Sequence, residues 1–308
     1  MKFTKMHGLG NDFILVNCME QSIGRPGALA KELCDRHLGI GGDGLLLVYA
    51  RTSTNFGLRY FNRDGSEGEM CGNGLRCAGK YVYEKGLTDK RKLCFETKAG
   101  RLNVVLDGQD GEVSSVTVDL GVPKLRKKEI PVAVGDPDRF MIDESVELES
   151  GVMMQLTAIK IGPPHAVAFV DDLEVVDVCV LGSSIRLLKD TFPVGVNVNF
   201  VQVLGEDKLK IRTYERGVED ETLACGTGAA AAAVAASLLR KVNGRASIVV
   251  GCRGGEVSIR LEHDAERMTN VFLKGPAETV FDGCMATAMR NGEMECNCVS
   301  TRSKQKSR

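Results

Sequence analysis

Short apolar runs bounded by turn residues recur along the whole chain. They cover residues 13–16, 45–49, 58–61, 93–97, 102–106 and 113–120 in the first part, and 156–161, 166–170, 196–204, 209–214, 248–250, 257–261 and 271–273 in the second. Runs this short, rich in Val, Ile, Leu, Tyr and Phe, read as strands. Asp107-Gly108-Gln109-Asp110-Gly111 reads as a hairpin loop, and Val116, Val118 and Leu120 beyond it alternate with polar residues as a half-buried strand does. Helical spacing appears over 27–36, 74–85 and 228–242. The third of these carries Ala229 to Ala233, then Val234, Ala235, Ala236, Leu238 and Leu239, and Asn243-Gly244 is its expected stop. A helix apolar on every side must be buried on every side. With strands so abundant, its natural container is a curled sheet wrapped around it.

The chain also echoes itself. Cys71-Gly72-Asn73-Gly74 and Cys225-Gly226-Thr227-Gly228 share the pattern C-G-x-G, each opens a predicted helix, and the two lie 154 residues apart. Asn11 and His165 each precede the corresponding cysteine by 60 residues, in glycine-bearing loops. The matched spacing implies two related halves.

Composition narrows the class of function. At 308 residues and 43 % hydrophobic, the chain can bury a full core. A net charge of −1 without a long basic run offers nucleic acid no electrostatic footprint. No run approaches the roughly 18 apolar residues needed to cross a bilayer, and the start lacks the apolar core of a secretion signal, so a cytoplasmic protein without a membrane partner is expected. The 11 cysteines are an odd, scattered set, unlike a disulfide framework, and are expected as thiols.

Two of those thiols carry the chemistry. A cysteine at a helix start lies in the positive end of the helix dipole, which lowers its pKa and favours thiolate. The glycines that follow leave backbone N–H groups open to an anion. If the halves face each other, one carboxylate fits between two helix starts with a sulfur on either side. Such a site removes an α-proton with one thiolate, spreads the charge into the gripped carboxylate, and returns a proton from the opposite thiol, inverting the carbon. No electron-sink cofactor is called for.

Blander readings suit other residues. Cys18, Cys34, Cys94, Cys179 and Cys252 read as small buried hydrophobes, and Cys77 as helix packing. Cys296-Asn297-Cys298 lacks a second ligand pair, so no metal site is expected. Gly39-Ile40-Gly41-Gly42-Asp43-Gly44 spells a dinucleotide motif but follows a helix and leads into a strand, the reverse of the required context. His165, on a Pro-Pro turn, is a functional candidate, whereas His37 and His263 read as surface residues. Arg216 reads as a carboxylate fork against the alternative of a solvated arginine.

At these positions the chain closely resembles the diaminopimelate epimerase family. The matching segments are Met6-His7-Gly8-Leu9-Gly10-Asn11-Asp12-Phe13, Phe61-Asn62-Arg63-Asp64-Gly65-Ser66 with Glu69-Met70-Cys71-Gly72-Asn73-Gly74-Leu75-Arg76-Cys77, Tyr214-Glu215-Arg216-Gly217 through Ala224-Cys225-Gly226-Thr227-Gly228, and Gly275-Pro276-Ala277. The resemblance implies an α+β fold of two pseudo-symmetric halves, each a curled, mostly antiparallel sheet around a central helix. The halves are expected over 1–121 plus 275–308, and over 122–274. It implies Cys71 and Cys225 as the acid and base pair, assisted by His165 and Glu215. The backbone at Gly72, Asn73, Gly226 and Thr227 is implied to hold the reacting carboxylate, with Asn11, Asn62, Asn197 and Arg216 reading the rest of a small amino-acid substrate. It also implies a homodimer and a cofactor-independent conversion of LL-diaminopimelate to the meso form.

The chain departs from the family pattern at Gly162-Pro163-Pro164-His165, where many members carry Gly-Asn-Pro-His, and at Gly44. Those departures leave a racemase of another amino acid as the nearest alternative. A thiol redox protein is the alternative from another class, weakened by the lack of a C-x-x-C motif. The polar, basic tail over 284–308 reads as disordered.

Overall fold

The structure is a computed structural model that describes residues 1–52, 54–243, 247–264 and 267–285. Gly244, the Cys296–Cys298 motif and the tail from 286 onward lie outside the described residues.

The first half contains β1 (Lys2–Gly8), β2 (Asn11–Asn17), α1 (Pro26–Cys34), β3 (Gly44–Ala50), β4 (Asn55–Asn62), β5 (Glu67–Gly68), α2 (Gly72–Glu84), β6 (Lys92–Thr97), β7 (Gly100–Asp107) and β8 (Ser115–Asp119). After β9 (Glu144–Glu147) the same series returns as β10 (Met153–Lys160), β11 (Pro164–Phe169), α3 (Val178–Arg186), β12 (Asn197–Gly205), β13 (Lys208–Glu215), β14 (Asp220–Thr222), α4 (Gly226–Leu238), β15 (Ser247–Cys252), β16 (Gly255–Asp264) and β17 (Arg267–Gly275), and β18 (Glu278–Cys284) closes it.

The pairing repeats strand for strand. β1 and β2 are antiparallel, β2 and β3 parallel, β3 and β4 antiparallel, β4 and β6 parallel, and β6 to β8 antiparallel. β10 to β17 follow with the same senses. The two series join where β8 pairs antiparallel with β17. Each then sends a strand across: β9 pairs with β10, and β18 returns to β1. The expected 107–111 hairpin is present, with Asp107 opposite Ser115.

Each half curls around its own helix. Ala229 to Ala236 on α4 are fully buried within a shell that includes Ile159, Val201, Ile211, Ile259 and Val271. Leu75, Ala78 and Val82 on α2 meet Phe13, Leu46, Phe95 and Val118 in the other half. The outer faces are covered by α1 and by α3.

Sequence reading and structure differ at identifiable places. α3 was not expected, because Val178-Cys179-Val180 is β-prone and Gly182 is a poor helix former. An Asp177 cap on the Val180 N–H starts it, and tertiary packing holds it. Gly182 lies so close to Tyr214 that an added Cβ would meet the Tyr214 ring at 2.7 Å. β1 was missed because its lysines mask the alternation, yet Lys5 is buried and paired with Asp12 at 2.6 Å. α4 stops at Leu238 rather than 242, and Arg240 adopts a left-handed φ of 54° just beyond its end.

Candidate active site

α2 and α4 begin at equivalent points of the two sheets, and a cysteine is the N-cap of each. Cys71 Sγ accepts the Gly74 N–H at 3.5 Å and points its own proton at Asn11 Oδ1, 3.7 Å away. Asn11 is held by Asp43, whose Oδ2 accepts its Nδ2 at 2.9 Å, so the carbonyl end of the amide is the end that faces sulfur. Asp43 is in turn bound by Arg36, which also grips Asp12. Burial alone would raise the Asp12 carboxyl, but Arg36 and Lys5 overcome it and bring it to about 2.

Asn73 joins the two halves. Its Nδ2 donates to Asn11 Oδ1 at 3.1 Å and to the carbonyl of Ala224, the residue before Cys225, at 3.2 Å. Gly162 gives a second junction: a Cβ there would lie 3.7 Å from both Met70 Cε and Thr227 Cγ2. A Cβ on Gly72 would meet nothing within 4 Å, so space is open beside the start of α2.

Around Cys225 the partners differ. Cys225 Sγ lies 3.6 Å from Thr227 Oγ1, and His165 Nε2 lies 3.1 Å from the same hydroxyl. On the far side of the ring, Asn199 Nδ2 is 3.2 Å from His165 Nδ1 and also donates to the Ala166 carbonyl. Thr213 Oγ1 donates to Asn199 Oδ1 at 3.0 Å and thereby fixes which end of the amide faces the ring. The Thr227 hydroxyl thus stands between the His165 ring and the Cys225 sulfur, within hydrogen-bond reach of both. Gly228 must be glycine here, because a Cβ would stand 3.2 Å from Cys225 Sγ and collide with Asn199 Oδ1.

The expected lowering of both thiol pKa values is reversed. Burial raises Cys71 to about 11 against the Gly74 N–H that favours thiolate, and the Glu215 charge adds to the rise. Burial, then Glu215, also raises Cys225 well above its ordinary value. The helix end acts as expected, but desolvation of the anion is larger. Burial also raises the Glu215 carboxyl, while hydrogen bonds with Thr222 and Cys225 oppose it. His165 is driven down to about 3 by burial and then by Arg216, so the imidazole is neutral.

The structure therefore brings together Cys71, Gly72, Asn73 and Asn11 with Cys225, Gly226, Thr227, His165 and Glu215. Asn197 shapes the edge, its Oδ1 accepting the Arg216 N–H at 2.8 Å. Arg216 is exposed and its guanidinium donates to the Val194 carbonyl at 2.9 Å. The Asn62 amide is spent on Ser66 at 3.0 Å. Cys179, expected in the core, is exposed and donates to Asp220. Cys34 and Cys77 are buried, and Cys18, Cys94 and Cys252 are half-buried. Sequence reasoning missed Asn199, Thr213 and Asp43. The signal for Asn199 was a second amide, two residues after Asn197, inside an otherwise apolar strand.

The sequence profile of diaminopimelate epimerase matches residues 3–126 and again 157–280, two stretches offset by the spacing of the two cysteines. Proteins named diaminopimelate epimerase are similar over nearly the whole chain. One from Acetivibrio thermocellus is 43 % identical over 92 % of this chain and 98 % of its own length. One from Methanococcus maripaludis is 40 % identical over 92 % and 99 %. Among solved structures, a probable proline racemase from Agrobacterium radiobacter superposes with a TM-score of 0.70 at 13 % identity over 93 % of each chain. A phenazine biosynthesis protein of the PhzF family from Bacillus anthracis superposes with 0.66 at 16 % identity, over 92 % of this chain and 98 % of its own. These two show a shared fold.

Proposed function

The chain belongs to the diaminopimelate epimerase family, and from that premise we propose that its conversion of LL-diaminopimelate to the meso form runs through Cys71 and Cys225. The protein is an isomerase. The observation that carries the mechanism is the Asn73 bridge, which ties the cap of one helix to the residue before the other cap.

In the forward step, one sulfur as thiolate takes the α-proton and becomes a thiol. The electron pair left on carbon delocalises into the carboxylate, which the backbone N–H groups of Gly72, Asn73, Gly226 and Thr227 stabilise more in the transition state than in the ground state. The opposite thiol then gives its proton to the other face and becomes the thiolate. The return reaction exchanges the two roles. Glu215 takes up or returns the Cys225 proton. The neutral His165 acts through Thr227, leaving that hydroxyl to stabilise the Cys225 thiolate. The α-ammonium that the substrate brings beside the sulfurs, a cation, is what opposes the high resting pKa of both thiols.

The non-reacting end of the substrate falls to Asn11, Asn62, Asn197 and Arg216. Asn62 and Arg216 must exchange their present partners, Ser66 and the Val194 carbonyl, for substrate. Domains at 1–121 with 275–308 and at 122–274, a cytoplasmic location and a homodimer complete the proposal. Sedimentation velocity tests the last of these. The deciding experiment is an epimerisation assay over a panel of amino acids including LL-diaminopimelate. Conversion of diaminopimelate supports the reading, and conversion of a different amino acid alone would overturn it.

A further inference from the structure

Arg216 lies between two turns, and one side chain from α3 touches both of them. The Arg216 guanidinium donates to the carbonyls of Val194 and Gly195 in the first turn, at 2.9 and 3.4 Å. Arg186, the last residue of α3, packs flat against that same turn. A Cβ on Gly195 would collide with Arg186 Nη1 and stand 2.6 Å from its Cζ, and Gly195 has a left-handed φ of 68°. Arg186 Nη2 then reaches the second turn, where it pairs with Glu219 Oε1 at 3.2 Å. Among the described residues, Glu219 is the one carboxylate that pairs with it.

Glu219 closes the second turn around Arg216. Its backbone N–H donates to the Glu215 carbonyl at 2.8 Å, and its Oε1 accepts the Gly217 N–H at 2.9 Å as well as Arg186. The neighbours of Arg216 on either side are thus tied to one residue. Glu219 holds a φ of 58°, a left-handed conformation that a side chain this long adopts only where its surroundings impose it. The Tyr214 hydroxyl, 3.5 Å from Oε2, completes those surroundings.

The pair contributes little to the fold as such. The Arg186 side chain is 21 % exposed and that of Glu219 48 %, and a solvated ion pair adds little to stability. Its effect is local order.

Building on the reading of Arg216 as the fork for the unreacting end of the substrate, we infer that Arg186 and Glu219 are positioning residues for it. Their ion pair ties together the turn that carries Arg216 and the turn that receives its guanidinium, so the fork meets substrate already ordered. Substrate then binds without the cost of immobilising a long side chain. The first half has a comparable device built from other residues: Arg36, just beyond α1, pairs with Asp43, which holds Asn11. Each outer helix thereby fixes a substrate-reading residue through an arginine and a carboxylate.

Glu219→Asn tests the inference, because asparagine tolerates the left-handed turn but is neutral and too short to reach Arg186. Its KM for LL-diaminopimelate is expected to rise about fivefold, with kcat within about twofold of the parent, and its urea midpoint should stay parental. Added to Arg216→Ala, the same change should leave KM where Arg216→Ala puts it. A parental KM in the folded single variant, or a further multiplied rise in the double variant, would overturn the inference. If Glu219→Asn fails to fold, Arg186→Met, which keeps an apolar stem against Gly195 and removes the charge, decides on the same two readings. Backbone hydrogen exchange over residues 214–222 needs no substrate and should quicken in either variant. Should Arg216→Ala itself leave KM unchanged, the reading of Arg216 fails and exchange decides alone: faster exchange supports the hold of the ion pair on the turn, and parental exchange refutes it.

Discussion

The two halves share a backbone plan and differ in the charges they set around sulfur. In the first, Cys71 points its thiol at the carbonyl of Asn11 and accepts the Gly74 N–H. In the second, the strand registers put Pro163 at the place of Asn11, His165 at the place of Phe13 and Glu215 at the place of Asn62, so the equal 60-residue spacing of Asn11 and His165 does not make them counterparts. Symmetry of the frame thus delivers two sulfurs to comparable places, while asymmetry of the side chains gives each its own way of losing and regaining a proton. The helices differ too. α4 is sealed on all sides and made of alanine, whereas α2 has room for Arg76 and ends in polar residues, with Lys80 paired to Glu84 at 2.9 Å.

The largest expected effect comes from removing either sulfur. Cys71→Ala and Cys225→Ala should each lower kcat by about 10³-fold or more, as loss of a general acid or base does. Substantial turnover in either variant, measured by chiral chromatography of the product, would break the equivalence of the halves. Next, Glu215→Gln should lower kcat by about 10²-fold with a smaller change in KM. An effect on KM alone would make Glu215 a binding group. Arg216→Ala should act the other way, raising KM with kcat nearly kept, since only the unreacting end of the substrate would lose a contact.

Stability separates the halves more gently. Ala233→Leu, in the sealed shell around α4, should cost about 1–3 kcal/mol by overpacking, read by urea unfolding. His165 predicts a pH dependence of definite sign. Its pKa falls from about 6.5 unfolded to about 3 folded, so the unfolded chain binds the proton first on acidification. Its contribution is intact above pH 6.5 and is lost between pH 6.5 and 3, by at most about 1.4 kcal/mol per unit. His165→Gln should lack this share of the acid slope, and an unchanged slope would mean that the ring is already protonated in the folded state.

Much of this was legible in the sequence because it rests on local chemistry. The two C-G-x-G starts, the alanine helix and the repeat spacing each follow from residue type and position. What escaped depended on partners distant in the chain. β1 carries lysines that count as polar until Asp12 is seen beside Lys5. The orientation of His165 is set by Asn199 and Thr213 on two other strands. The direction of the thiol shifts was misjudged for the same reason, since a helix end is visible in sequence and the burial that outweighs it is not.

The most direct test of two sulfurs acting from opposite faces of one carbon is the fate of solvent deuterium. With LL-diaminopimelate in deuterium oxide, early product should carry one deuteron at the inverted carbon while the substrate still unconverted carries none. Equal labelling of recovered substrate and product at the earliest times would mean that a single group serves both faces, and the opposed pair would be refuted.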